Sequence, residues 1–100
     1  MNIMDKSWME IEDIKTSIVI IPIGSIEQHG PHLPLNTDTL IAEAVAKKIS
    51  DEINAVVSPS VSVGISVEHM DFRGTITLSN ETFKKVIIDI CKSLAQHGFK

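Results

Sequence analysis

The feature that most constrains this chain is the stretch from residue 18 to residue 44, IVIIPIGSIEQHGPHLPLNTDTLIAEA. A short apolar run ends near residue 23, a loop rich in turn-forming residues follows, and a helical pattern begins near residue 38. The loop carries two acids and two imidazoles, Glu27, His29, His32 and Asp38. We therefore expect the rest of the chain to support this loop or to form the wall around it.

Two elements flank the loop. The apolar run 17–23 predicts a strand buried on both faces, as in parallel sheets that are covered by helices. Its ladder should end near Pro22, because proline has no N–H to donate. After the loop, Thr37 is the predicted N-cap of a helix from Asp38 to about Ile53. The apolar stripe of this helix consists of Leu40, Ile41, Ala44, Val45, Ile49 and Ile53.

The remaining elements alternate in type along the chain. Ser7 and Glu10 have the spacing of a capping box and predict a short helix over 8–15. Residues 55–58 predict a second strand, and 61–66 a strand edge or loop that enters a long connection. Residues 80–96 predict a helix that Gly98 ends with a left-handed cap. This order favours an α/β fold with a parallel sheet.

The length of 100 residues fits one small domain or part of a larger one. The alternation of elements calls for a third strand where the sequence stops, and a sheet of two parallel strands would be thin. We therefore expect a fragment of a longer protein, or a domain that another chain completes.

Charge and hydropathy exclude several partners. The formal net charge of −4 comes without a Lys/Arg cluster, which argues against a nucleic-acid-binding surface. The acidic start of the chain does not resemble a signal peptide. No window approaches the ~20 apolar residues that span a bilayer. A cytoplasmic protein without a membrane partner is the expectation.

The loop has the residue types of a metal site. In an extended backbone, Glu27 and His29 project to the same side. Asp38 falls in the first turn of a helix, where the dipole favours an ionised carboxylate. Such a set suits a divalent ion, and Asp38 has two oxygens with which to bridge two ions. The alternative is that the acids pin the loop and cap the helix while His29 merely packs. Gln28 would point to the opposite side, where its side chain would hydrogen-bond to the backbone or to a group that supports the metal ligands.

Two segments carry a family resemblance. Residues 22–38, PIGSIEQHGPHLPLNTD, and 68–78, EHMDFRGTITL, resemble the signatures of the creatininase (creatinine amidohydrolase) family of metal-dependent amidohydrolases. The resemblance covers essentially the whole chain. It implies a three-layer α/β/α fold with a mostly parallel sheet, of which residues 1–100 would form the N-terminal part of a single domain. It also implies assembly as a homo-oligomer, commonly a hexamer.

The resemblance further implies two divalent ions, zinc or manganese, that activate a bridging water. By motif position, Glu27 matches the ligand of one ion, His29 matches the ligand of the other, and Asp38 matches the bridging aspartate. The family's further histidine and glutamate ligands, and its proton-transfer residues, would lie beyond Lys100, so no catalytic residue can be assigned within the chain. Arg73 stands where the family often has proline.

Substrate-binding candidates lie in the long connection, where binding residues often collect: Ser66, Glu68 and His69. Ordinary loop hydrogen bonding is the alternative for all three. The leading hypothesis is a hydrolase that cleaves a cyclic or linear, non-peptide amide C–N bond in a small molecule. The alternatives are a non-catalytic fragment or assembly module of that fold, or a relative that deformylates a formamide or cleaves a small peptide.

Overall fold

The computed structural model describes residues 1–100 and contains two short parallel strands and three α-helices. The elements are α1 (Trp8–Glu12), β1 (Val19–Ile20), α2 (Thr37–Ile53), β2 (Val56–Val57) and α3 (Asn80–Gln96), with 3-10 turns at Ile3–Asp5 and Val67–His69. The predicted α/β class with a parallel sheet is confirmed. No helix is both long and apolar enough to cross a membrane.

The sheet pairs Val19 with Val56 and Ile20 with Val57 in parallel. β2 is buried, whereas β1 is only half-buried. The prediction that the first strand is buried on both faces is therefore wrong. The reason is that α2 packs against β2, whereas β1 has less cover.

The two ends of the chain extend the hydrogen-bonded ladder on opposite sides of the sheet. The N–H of Val57 donates to the carbonyl of Met1 at 2.7 Å. On the other edge, the N–H of Val19 donates to the carbonyl of Lys100 at 3.2 Å, and the N–H of Lys100 donates to Ser17 at 2.7 Å. Each strand thus has a backbone partner on its outer edge in addition to the other strand.

The start of α2 differs from the prediction by one residue. The N-cap is Asn36, which makes no side-chain capping bond, so the assignment of Thr37 as N-cap is wrong. Thr37 is the first helical residue instead, and its hydroxyl donates to the carbonyl of Pro34 at 2.6 Å. This bond closes the turn that leads into the helix and places Asp38 in its first turn.

The packed face of α2 also differs from the prediction. Its buried residues are small, namely Thr39, Ala46 and Ser50. The large members of the predicted apolar stripe are all exposed: Leu40, Ile41, Val45, Ile49 and Ile53. The cause is close approach, since a Cβ on Gly24 would lie 2.6 Å from the backbone nitrogen of Thr39. Only a helix face of small side chains can come so near a loop backbone.

The other helices follow their local signals. Both reciprocal bonds of the Ser7–Glu10 capping box are present, although α1 ends earlier than predicted, at Glu12. α3 has the predicted bounds, and the Ser79 side chain accepts from the N–H of Thr82 as its cap. Gly98 follows with φ +89°, the predicted left-handed conformation.

Candidate metal centre

The loop between β1 and α2 is held from two sides. The N–H of Ile76 donates to the carbonyl of Ile26 at 3.0 Å, and the N–H of Glu27 donates to Leu35 at 3.1 Å. Gly30, with φ +77°, turns the chain immediately after His29. These bonds fix the backbone on either side of the two predicted ligands in the loop.

Glu27, His29 and Asp38 come together in the structure. One ligand atom from each lies within 4.8 Å of the others. Their side chains are partly exposed, at 16% for Glu27, 23% for His29 and 42% for Asp38. An ion at their centre would be accessible from solvent and still partly surrounded by protein.

The hydrogen bonds of His29 suit a metal ligand. Its Nδ1 lies 3.1 Å from the backbone carbonyl of Glu27. A carbonyl only accepts, so Nδ1 carries the proton and Nε2 of the neutral ring keeps its lone pair. This is the arrangement in which a metal-binding histidine is usually held. Nε2 lies 3.2 Å from Asp38 Oδ1, and a lone pair facing a carboxylate oxygen is favourable only when a cation or a proton lies between them.

The ionisation of His29 and Asp38 is tuned by neighbouring groups. The bond to the Glu27 carbonyl raises the pKa of His29, and the charge of Asp38 adds to the effect. The Ser25 hydroxyl donates to Asp38 Oδ2 at 2.9 Å, and this bond lowers the pKa of Asp38, with a further contribution from His29. Asp38 is thereby held as a carboxylate, the form that binds a metal ion.

A second cluster shares Glu27. His69 Nε2 lies 3.8 Å from Glu27 Oε2 and 3.8 Å from Glu68 Oε1. On the other side of the ring, Nδ1 lies 3.2 Å from Gln28 Nε2. Gln28 Oε1 also accepts from the backbone N–H of Gly30, so the predicted backbone bonding of Gln28 is present, whereas a role behind the metal ligands stays a prediction.

The two clusters adjoin a cleft. Glu27, Asp38 and Glu68 line a space of about 370 Å³ that also touches Gly64 and Phe83. A larger cleft of about 830 Å³ lies between α1 and the end of α3, and none of the six predicted site residues lines it. Of these two clefts, only the smaller one is lined by predicted site residues.

The predicted substrate-binding residues differ in their access to the cleft. Glu68 lines it. His69 is half-buried beside Glu27, and Ser66 is fully buried, with no partner for its hydroxyl. Substrate binding by these three stays a prediction. His32 is exposed and belongs to neither cluster.

Ser25 is the site residue that sequence reasoning missed. A signal for it was present, because Ser25, Glu27 and His29 follow each other at every second position. The alternation that placed Glu27 and His29 on one side of the chain would also have placed Ser25 there.

The chain is similar to known proteins over nearly its whole length. The family model for creatinine amidohydrolase matches residues 4–100. The chain is 39% identical over 87 residues to the mycofactocin precursor peptide peptidase of Mycobacterium tuberculosis, covering 77% of this chain and 35% of the relative. It is 34% identical over 100 residues to the creatinine amidohydrolase of Pseudomonas putida, covering 92% of this chain and 38% of that enzyme.

Solved structures show the same fold. A creatininase structure described as the Mn form superposes with a TM-score of 0.92 at 31% identity, covering 98% of this chain and 41% of the other. A mutant creatininase of the Zn-Zn type superposes with a TM-score of 0.88 at 31% identity, over 97% of this chain and 41% of the other. The chain thus has the α/β fold of these enzymes over about 40% of their length.

Proposed function

The chain belongs to the creatininase family, and from that premise we propose that the protein is a metal-dependent hydrolase that cleaves an amide-type C–N bond. The chain spans only 35% of the length of its mycobacterial relative, so the activity proposed is that of the whole protein. The observation that carries the proposal is the 3.2 Å distance between His29 Nε2 and Asp38 Oδ1, beside Glu27.

We assign the metal ligands to Glu27, His29 and Asp38. Following the family resemblance, Glu27 would bind one ion, His29 would bind the other, and Asp38 would bridge the two. Manganese and zinc are the candidates, because related structures are described as Mn and Zn-Zn forms. A bound divalent ion would lower the pKa of a water molecule and polarise the substrate carbonyl.

The residues of this chain would orient the metal ligands and keep them in the required charge state, and none of them would act as a nucleophile. The Glu27 carbonyl holds the Nδ1 proton of His29 and so directs Nε2 towards the centre. Ser25 keeps Asp38 ionised through its hydrogen bond. Of the three residues predicted to bind substrate, Glu68 lines the cleft, and its charge would allow it to bind an N–H group next to the scissile carbonyl.

The substrate proposed is an amide, and its class has three candidates. A non-peptide amide such as creatinine was the prediction, and the relative from Pseudomonas putida is a creatinine amidohydrolase. A small peptide is the second candidate, because the relative described as a peptide peptidase has the higher identity, 39% against 34%. A formamide remains an alternative from the resemblance. Hydrolysis of creatinine, a formamide and a short peptide should be assayed on the same protein.

Metal analysis of matched variants tests the proposal. Protein dialysed after loading with Mn²⁺ or Zn²⁺ is compared with Glu27→Ala, His29→Ala and Asp38→Asn by elemental analysis. We expect each of these to lose bound metal, whereas His32→Ala, an exposed histidine of the same loop, retains it. Equal metal content in all variants would contradict the proposal. Metal binding without hydrolysis of any of the three substrates would favour the non-catalytic alternative.

We also propose a homo-oligomer, with a hexamer as the family's common form. The proposal follows the family resemblance. The exposed apolar side chains of α2 form a row that either the remainder of the fold or a second copy would cover. In the rival reading, the loop serves assembly and binds no metal. That reading predicts that Glu27→Ala and His29→Ala disturb the oligomer and leave metal content unchanged, which light scattering and elemental analysis distinguish.

A further inference from the structure

We propose that Gln28 and His69 form a positioning pair for Glu27, in which His69 directs an Nε2–H towards the Glu27 carboxylate and is not a metal ligand. The proposal rests on the proposed function only where it treats Glu27 as a ligand. The proton position on His69 follows from hydrogen bonds within this chain and is measurable without any metal.

The orientation of the Gln28 amide is the first step. The backbone N–H of Gly30 lies 2.9 Å from Gln28 Oε1. Because an N–H can donate only to an acceptor, the amide oxygen belongs on the Gly30 side. The NH₂ group of Gln28 is therefore the part that faces His69.

The tautomer of His69 follows from that orientation. Gln28 Nε2 lies 3.2 Å from His69 Nδ1. An amide NH₂ has no lone pair to offer, so Nδ1 accepts and the proton of the neutral ring is on Nε2. His69 Nε2 lies 3.8 Å from Glu27 Oε2 and 3.8 Å from Glu68 Oε1. The ring thus presents a donor to two carboxylates, at an ion-pair distance longer than a hydrogen bond.

His29 and His69 are therefore held in opposite tautomers. A carbonyl at Nδ1 leaves His29 with a lone pair on Nε2, whereas an amide NH₂ at Nδ1 leaves His69 with a proton on Nε2. In both clusters, Glu27–Glu68–His69 and Glu27–His29–Asp38, the possible ligand atoms lie within 4.8 Å of one another. Only the cluster with His29 offers an imidazole lone pair. The metal is therefore directed to His29, and His69 orients the Glu27 carboxylate.

Nitrogen NMR of the histidine rings in metal-free protein tests the tautomers directly. At a pH above the histidine range, long-range ¹⁵N spectra should show Nε2–H for His69 and Nδ1–H for His29. Gln28→Glu replaces the donor with an acceptor, so His69 should change to Nδ1–H. Gln96→Glu, an exposed change on α3, should leave both rings as they are. A wild-type His69 with its proton on Nδ1 would overturn the proposal.

Metal affinity tests the positioning role. By calorimetry with Mn²⁺ or Zn²⁺, His69→Ala should weaken binding about 10- to 100-fold, the usual effect of losing a group that orients a ligand. His69→Gln, which keeps an N–H donor, should restore much of this loss. If His69→Gln binds as weakly as His69→Ala, the positioning role fails. If wild-type protein binds no metal while His69 shows Nε2–H, the proposed function and the positioning role fail, and the tautomer assignment stands.

Discussion

His29 and Asp38, nine positions apart in the chain, meet with 3.2 Å between Nε2 and Oδ1. The contact joins the loop after β1 to the first turn of α2. Because the other ring nitrogen of His29 already donates to the Glu27 carbonyl, this contact is attractive only with a proton or a metal ion between the two atoms. The pair should therefore respond both to pH and to bound metal.

The metal-free protein should lose stability on both sides of a pH window. The pKa of Asp38 is lowered in the fold, so its contribution is present above about pH 4 and is lost as the pH falls through the folded value. The pKa of His29 is raised, so its contribution is present below about pH 6.5 and is lost as the pH rises through the folded value. The pair should stabilise the fold most between these limits.

Urea unfolding at a series of pH values measures this effect. The difference in unfolding free energy between wild type and Asp38→Asn should be largest inside the window. Asp51→Asn, on the exposed side of α2, is the control and should show a smaller change with pH. A difference between wild type and Asp38→Asn that does not vary with pH would contradict the prediction.

Ser25→Ala should weaken metal binding without removing a ligand. The change deletes the donor to Asp38 Oδ2, so the pKa of Asp38 should rise and its carboxylate should lose a fixed orientation. Loss of such a supporting bond typically costs about 10-fold in metal affinity. Calorimetry should show this loss for Ser25→Ala and none for Ser93→Ala, an exposed serine of α3. Unchanged affinity in both would mean that Ser25 does not support the centre.

Gly24→Ala should damage the fold more than Gly30→Ala. A Cβ at Gly24 would meet the Thr39 backbone, which cannot move without displacing α2, and overpacking of this kind costs about 1–3 kcal/mol or more. A Cβ at Gly30 meets nothing within 4 Å, and its cost comes from φ +77° alone, about 1–2 kcal/mol. Thermal unfolding should rank the two variants in this order. Greater loss in Gly30→Ala would show that α2 can shift away from the loop.

The helices show which parts of the fold local sequence can predict. The bounds of α3 were predicted from the helical pattern of its own residues and from Gly98 just after its end, which are both local signals. The packed face of α2 was not predicted correctly, because it depends on the close approach of Gly24 to Thr39. A hydrophobic pattern records which residues are apolar and does not record how near another backbone will come.

The candidate site also has a part that local sequence predicts and a part that it does not. Glu27, His29 and Asp38 could be selected because they lie within one loop and its following helix turn, where spacing and helix polarity apply. The contact between Gln28 and His69 joins positions 41 residues apart, so it depends on the path of the long connection. Local sequence patterns do not predict the path of that connection.

The exposed row on α2 leads to a prediction about assembly. If Ile41 and Val45 lie in the interface of a homo-oligomer, a charge at either position should dissociate it, because a buried unpaired carboxylate is costly. Ile41 is 57% exposed and Val45 52% exposed within these 100 residues. Thermal unfolding of Ile41→Glu and Val45→Glu should therefore show little loss of monomer stability, and a large loss would show that the rest of the fold, and not a second copy, covers this row. Light scattering should report a smaller mass for both variants and the wild-type mass for Lys48→Glu, a change at an already charged, exposed position. An unchanged mass in all three would place the interface elsewhere, and a monomeric wild type would contradict the proposed oligomer itself.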